Sequence, residues 1–277
     1  MRFTKMHGLG NDYVFVNCFT EEIRDPQALA RFVSNRHRGI GSDGLILIGP
    51  SWKADFRMQM FNADGSVGEM CGNGIRCVGK YVYEHGMAAQ KKLTVETKAG
   101  IRCLEITVDK GKVSFVKTDM GTPVLRADQI PITSDKSIVL NEPIVIERME
   151  YRMTGVSMGN PHAVVFVRNV DAVDVRWLGP RFEYHGRFPR RINVEFAEVI
   201  SRNEIKVRVW ERGSGETLAC GTGACAVAVA SVLNDLTDRQ VTIKLLGGDL
   251  AVEWEKESNT VYMTGPAETV FDGDISL

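Results

Sequence analysis

Long apolar runs, charge of one sign and metal-type cysteine spacing are all missing from this 277-residue sequence. Each absence excludes a class of protein. The longest uncharged apolar run, near Ala224 to Leu233, is too short to span a bilayer, so no membrane partner is expected. Met1-Arg2-Phe3-Thr4-Lys5-Met6-His7 runs straight into a turn and lacks the apolar core of a signal peptide, which points to a cytoplasmic protein. Lys and Arg number 34 against 35 Asp and Glu, for a net charge of −1. They are scattered, with no basic stripe of the kind that binds nucleic acid. Six cysteines make no disulfide scaffold in a chain of this length. The spacings Cys71-x5-Cys77 and Cys220-x4-Cys225 fit no zinc pattern, and no histidine pair completes one, so no metal is expected. Glycine-rich turns occur without a Walker lysine or a complete dinucleotide fingerprint. No lysine motif demands pyridoxal phosphate, and no cofactor is expected.

What is present is a duplicated turn. Met70-Cys71-Gly72-Asn73-Gly74 and Ala219-Cys220-Gly221-Thr222-Gly223 each place a cysteine before a glycine-x-glycine turn that opens a helix-like run. One offset of 149 links the two: Asn11 with Asn160, Asp25 with Asp174, Asn62 with Glu211, Cys71 with Cys220. Beyond the helices it slips by one, so that Gly100 pairs with Gly248. The surrounding pattern repeats too. In the first half, Tyr13 to Val16, Leu45 to Ile48, Phe56 to Phe61 and segments between Leu93 and Thr118 read as strands. Asp25-Pro26 opens a helix through Arg36, with Asp as N-cap and Pro at the first helical position. The helix after Cys71 runs to Gly86 with Ile75, Val78, Tyr81 and Val82 on one face. The helix Gly221 to Leu233 carries no charge on any face and must be buried all round. The expected fold is α/β (α+β): two pseudo-symmetric domains from an internal duplication, each a strand-rich sheet wrapped around a central helix. The expected boundaries are 1–120, completed by the tail 264–277, and 121–263, with Pro123 to Pro143 as the crossing.

A cysteine at a helix N-terminus meets the positive end of the dipole and unsatisfied N–H groups, which lowers a thiol pKa. The same N–H groups suit an anion such as a substrate carboxylate. Two such thiols, one per half, suit inversion of a carbon centre, where a base works on one face and an acid on the other. Fixed N–H dipoles would stabilise the resulting carbanion, and a closed junction of two domains would hold it. By type alone, Cys77, Cys225, Cys18 and Cys103 are packing residues, Asn11 and Asn160 are turn residues, and Arg76 is a solvated or capping residue.

Several stretches carry a resemblance to a known family: His7-Gly8-Leu9-Gly10-Asn11-Asp12-Tyr13, Phe61-Asn62-Ala63-Asp64-Gly65-Ser66, Cys71-Gly72-Asn73-Gly74-Ile75-Arg76-Cys77, Gly159-Asn160-Pro161-His162, Asn193-Val194-Glu195-Phe196, Trp210-Glu211-Arg212-Gly213 and Ala219-Cys220-Gly221-Thr222-Gly223. They cover nearly the whole chain, which resembles the diaminopimelate epimerases of lysine biosynthesis. The resemblance implies interconversion of LL- and meso-diaminopimelate without a cofactor, with Cys71 and Cys220 as the acid–base pair. It implies that His162 and Glu211 tune the thiols and that Gly72, Asn73, Gly221 and Thr222 hold the reacting carboxylate. Asn11, Asn62, Asn160, Asn193, Glu211 and Arg212 would bind the remaining polar groups. Domain closure and a homodimer are also implied. One departure is Gly44, where family members carry a substrate-contacting glutamine; Asp43 or water takes that place. Two alternatives stay open, another amino-acid racemase or isomerase of the proline racemase type and a non-catalytic binding or thiol redox protein. Arg212 argues against the first, because a monocarboxylate leaves its guanidinium unpaired.

Overall fold

A computed structural model describes residues 1–68 and 70–276. The chain divides into two compact units, Met1–Asp119 with Thr264–Leu277 (unit 1) and Met120–Met263 (unit 2). The first stretch of the chain forms β1 (Arg2–Gly8), β2 (Asn11–Asn17), α1 (Pro26–Ser34), β3 (Gly44–Gly49), β4 (Phe56–Asn62), β5 (Val67–Gly68), α2 (Gly72–Glu84), β6 (Lys92–Thr97), β7 (Gly100–Asp109) and β8 (Lys112–Gly121). There follow β9 (Glu142–Ile146), β10 (Met149–Ser157), β11 (Pro161–Phe166), α3 (Val175–Glu183), β12 (Asn193–Ser201), β13 (Glu204–Glu211), β14 (Gly215–Thr217), α4 (Gly221–Leu233), β15 (Gln240–Leu245), β16 (Gly248–Trp254) and β17 (Val261–Gly265). The last strand, β18 (Glu268–Asp274), pairs with β1 in unit 1.

The duplication is visible in the pairing. In unit 1, β2 runs parallel to β3, β3 antiparallel to β4, β4 parallel to β6, and β6 antiparallel to β7. In unit 2, β11 with β12, β12 with β13, β13 with β15, and β15 with β16 repeat that order of directions. The register carries the offset: Tyr13 faces Gly44, and His162 faces Asn193. The slip by one is there as well, since Thr97 faces Gly100 and Leu245 faces Gly248. Both glycines take positive φ, 102° and 132°, a turn conformation that disfavours a side chain.

Alternation along the strands builds two apolar layers in unit 1. Tyr13 and Phe15 point into the cluster around α2, while Val14 and Val16 point into the cluster under α1. In α1 the Asp25 carboxylate accepts the Ala28 N–H at 2.9 Å, as an N-cap should. The helix stops at Ser34 and not at Arg36, because Asn35 turns extended and its side-chain oxygen captures the N–H groups of His37 and Arg38. Unit 2 wraps β10, β11, β12, β15 and β16 against α4. That helix is buried from Gly223 to Ser231 on every side, as its uncharged sequence requires.

Three expectations need correction. The helix α2 is not half-exposed: Gly72 to Val82 are all buried, Arg76 and Lys80 included. Arg76 is fully buried because its donors are consumed by Gly72 O (3.0 Å), Asn73 Oδ1 (2.9 Å) and Pro266 O (3.2 Å). Lys80 likewise reaches Glu84 Oε1 at 2.9 Å and Val113 O at 3.2 Å. The segment Pro123 to Pro143 is no bare crossing. It buries Ile130, Ile132 and Val139 in the core of unit 2. Cys103 is exposed, since it falls on the open face of β7, whereas Cys77 and Cys225 pack as small hydrophobes. Burial pushes the Cys77 thiol up to about 12, which leaves it inert.

Candidate active site

In both units a strand delivers the chain to a cysteine that caps a buried helix. Cys71 is the N-cap of α2, and its sulfur accepts the Gly74 N–H at 3.3 Å. Cys220 is the N-cap of α4, and its sulfur accepts the Gly223 N–H at 3.3 Å. Glycine follows in both turns for a steric reason. A Cβ on Gly74 would lie 2.5 Å from Ile46 Cδ1, and one on Gly223 would lie 2.6 Å from Glu195 Oε1.

Around Cys71, the thiol lies 3.3 Å from Asn11 Oδ1, which also accepts from Asn73 Nδ2 at 3.3 Å. Asn11 is oriented from behind, because its Nδ2 donates to Asp43 Oδ2 at 2.8 Å and so its oxygen must face the sulfur. Asp43 in turn accepts from Arg36, which is bidentate on Asp12, and Lys5 pairs with Asp12 at 2.6 Å. Burial works against the Asp12 charge, but the hydrogen bonds and charges of Arg36 and Lys5 outweigh it and hold the carboxyl at about 2. Tyr13 is buried next to Cys71. Burial, then the Cys71 charge and hydrogen bond, push its phenol well above the ordinary range. Gly44 has no room for a side chain here, since a Cβ would meet Phe61 O at 2.2 Å. Asp43, beside it, is the polar group that reaches Asn11.

Around Cys220, the Thr222 hydroxyl lies 3.4 Å from the sulfur. His162 is fully buried, with Nδ1 at 2.7 Å from Glu195 Oε1 and Nε2 at 3.0 Å from Asn160 Oδ1. Asn193 is buried and committed at both ends of its amide: it donates to Pro161 O at 2.8 Å and accepts the Arg212 N–H at 2.9 Å. Glu211 accepts from Thr217 Oγ1 at 2.6 Å. Arg212 is exposed, and its Nη1 donates to Arg190 O at 2.9 Å. Asn62 donates to Ser66 Oγ at 2.9 Å, within its own turn.

One electrostatic expectation fails at Cys220. The helix-start position was expected to lower the thiol, yet it is pushed well above its ordinary value. Burial is the largest cause, and the Glu211 and Glu195 charges add to it. The Thr222 hydroxyl and the Gly223 N–H pull the other way and lose.

The motifs did not single out Tyr13 or Glu195. A signal for both existed: the offset of 149 sets Tyr13 opposite His162 in the repeat and Ile46 opposite Glu195. The register of β2 with β3 and of β11 with β12 obeys that correspondence.

The architecture is shared with solved structures of low sequence identity. A probable proline racemase from Agrobacterium radiobacter superposes with a TM-score of 0.75 at 15% identity, over 100% of this chain and 93% of that one. A hydroxyproline epimerase from Agrobacterium vitis superposes with a TM-score of 0.71 at 15% identity, over 99% and 90%. The chain therefore has the fold that these two proteins share. Sequence narrows it further. The family model described as Diaminopimelate epimerase matches residues 3–126 and 154–270. A diaminopimelate epimerase of Acetivibrio thermocellus is 60% identical over 277 residues, covering 100% of this chain and 99% of that protein. One of Methanococcus maripaludis is 56% identical over 100% of both. The chain belongs to the diaminopimelate epimerase family and is an isomerase, as its motifs implied. Among the described residues, no helix is long and apolar enough to cross a membrane.

Proposed function

We propose that this chain interconverts LL- and meso-diaminopimelate in lysine biosynthesis, by two-base proton transfer at one α-carbon. Cys71 and Cys220 are the acid–base pair. The observation that carries this reading is the matched pair of cysteine N-caps, each with its sulfur on a helix-start N–H at 3.3 Å. A reacting α-carbon needs a proton acceptor on one face and a donor on the other. The raised Cys220 thiol is suited to the donor's part, because it stays protonated at neutral pH.

Backbone N–H groups at Gly72, Asn73, Gly221 and Thr222 hold the reacting carboxylate and the carbanion charge that develops next to it. Asn11, Asn62 and Asn160 offer amides to the ammonium and carboxylate groups, and Asn193 does so through the second hydrogen and lone pair that its two protein bonds leave. Arg212 pairs with the distal carboxylate, which a bidentate guanidinium matches. His162 and Glu211 set the charge near the thiols. The reaction in this reading uses no pyridoxal phosphate. The two repeats act as domains 1–120 with 264–277 and 121–263, which close on the substrate. The working form is a cytoplasmic homodimer.

The test is hydrogen exchange. Reduced protein incubated with LL-diaminopimelate in deuterated water is expected to place deuterium at one α-carbon and to form the meso isomer. No exchange with any diaminopimelate stereoisomer, or turnover of proline in its place, overturns the assignment.

A further inference from the structure

Glu195 is an acidic residue where its counterpart in the other unit is apolar. It sits in β12 among Val194, Phe196 and Ala197, all fully buried, and is fully buried itself. Its Oε1 is 2.7 Å from His162 Nδ1, while its Oε2 has no hydrogen-bond partner among the described residues. It also abuts the start of α4. The point where a Cβ on Gly223 would stand is 2.6 Å from Glu195 Oε1 and 3.3 Å from Cys220 Sγ. In unit 1 the matching gap is closed by a hydrocarbon, with Ile46 Cδ1 at 2.5 Å from a Cβ on Gly74. Packing alone is thus met by an isoleucine. A buried carboxyl group with one oxygen unbonded costs stability that the isoleucine does not.

We propose that Glu195 is a positioning residue for proton transfer at Cys220, fixing the ring of His162 and setting a carboxyl charge beside the thiol. The proposal rests on Cys220 being one of the two reacting thiols. A carboxylate can only accept, so the hydrogen on Nδ1 points to Glu195, and Nε2 then accepts from the Asn160 amide turned to present its Nδ2 in place of Oδ1. Ring orientation is fixed by the same contact, as it is where a carboxylate backs a metal-bound histidine. The groups that act on the sulfur are Glu195 on β12, Glu211 on β13, and the Thr222 hydroxyl and Gly223 N–H on α4. His162 on β11 is bonded to Glu195. Both carboxylates oppose the thiolate, so removing one charge eases ionisation of Cys220.

The experiment uses the full chain carrying Cys71→Ser and reads iodoacetamide alkylation of Cys220 against pH, by peptide mass spectrometry and without substrate. In Glu195→Gln the midpoint is expected to fall by about one pH value or more, the usual effect of a close charge. Glu195→Leu, which copies the apolar solution of unit 1, is expected to give a shift in the same direction. In the chain with both cysteines, kcat for α-hydrogen exchange is expected to fall about 10- to 100-fold with KM little changed. Glu195→Gln should keep more activity than Glu195→Leu, because its amide oxygen can still accept from Nδ1. A folded Glu195→Gln or Glu195→Leu chain whose alkylation midpoint stays in place overturns the proposal. So does equal activity in the two variants. If the unaltered chain fails to exchange diaminopimelate while the alkylation midpoint still moves, the substrate assignment fails and the role of Glu195 beside Cys220 stands.

Discussion

Cys71 and Cys220 cap their helices with the same sulfur-to-N–H distance, yet the strands beside them carry different chemistry. Tyr13 and Ile46 stand in unit 1 where His162 and Glu195 stand in unit 2. Asn73 follows the first cysteine turn where Thr222 follows the second. Neutral or apolar groups therefore flank one thiol, and an imidazole with a carboxyl group flanks the other. The helices differ in the same sense. In α2 Arg76 and Lys80 are buried and bonded to backbone oxygen, whereas α4 is uncharged throughout. A duplication that needed only a scaffold would have kept either solution in both halves. What has been kept alike is the cysteine turn, and what has diverged is the charge around it. That is the pattern expected of two thiols with opposite protonation duties in one reaction cycle.

The most direct way to break this comparison is to remove the thiols one at a time. Cys71→Ser and Cys220→Ser are each expected to reduce epimerisation by about 10²- to 10⁴-fold, the span typical of a lost general acid or base. Steady-state conversion of LL- to meso-diaminopimelate is the measurement. A large loss from only one of the two would mean that the halves do not share the chemistry.

Next in size is the difference between the helices. Arg76→Leu is expected to destabilise the chain by about 2–4 kcal/mol, since several buried oxygens lose their donor at once. Cys225→Ala, at the matching place in α4, removes only a small packed sulfur and is expected to cost about 1 kcal/mol. Urea unfolding of both variants gives the ranking, and equal costs would show that Arg76 is not the tie that its bonds to Gly72, Asn73 and Pro266 suggest.

A smaller effect separates the two flanking rings. His162→Ala is expected to reduce kcat by about 10- to 100-fold, because the imidazole is tied at 2.7 Å to Glu195 beside Cys220, the thiol proposed above to react. Tyr13→Phe removes a hydroxyl whose phenol stays protonated at every working pH, and is expected to cost a few-fold at most. Equal losses would mean that the two sites differ in composition but not in function.

The residues differed in how plainly the sequence revealed them. Cys71 and Cys220 were legible because one offset joins a reactive residue type to a glycine turn, and that combination has few structural uses. The strands were legible for the same reason, since their periodicity repeats with the turns, whereas their order in the sheet was not. Arg76 was not, because a lone arginine on a helix looks solvated until the carbonyls around it are located. The Cys220 thiol was misjudged because local sequence shows the helix start and hides the burial of the sulfur, the largest cause, together with the two carboxylates brought in from β12 and β13. Those are long-range contacts set by strand register. Glu195 was in view within a family motif, but it takes a fold to show which face of β12 meets α4.

The finest comparison concerns acid. Asp12 belongs to unit 1, and its counterpart in unit 2 is Pro161, which has nothing to titrate. The Asp12 carboxyl is held at about 2 in the folded chain, below its unfolded value near 4, so its contribution is complete above about pH 4. It is lost as pH falls through 2. The contribution is about 1 kcal/mol, less than full linkage gives, because solvent screens the Arg36 side of the network. Asp12→Asn should therefore lower stability at pH 7 and converge with the unaltered chain near pH 2. Hydrogen exchange resolved by segment should show β2 loosening in that window while β11, which begins at Pro161, does not follow. Parallel loosening of β2 and β11 in the unaltered chain, with no change in Asp12→Asn, would move the acid sensitivity away from this network. The orientation of Asn11 toward Cys71 would then depend on Asp43 alone, without Asp12 behind it.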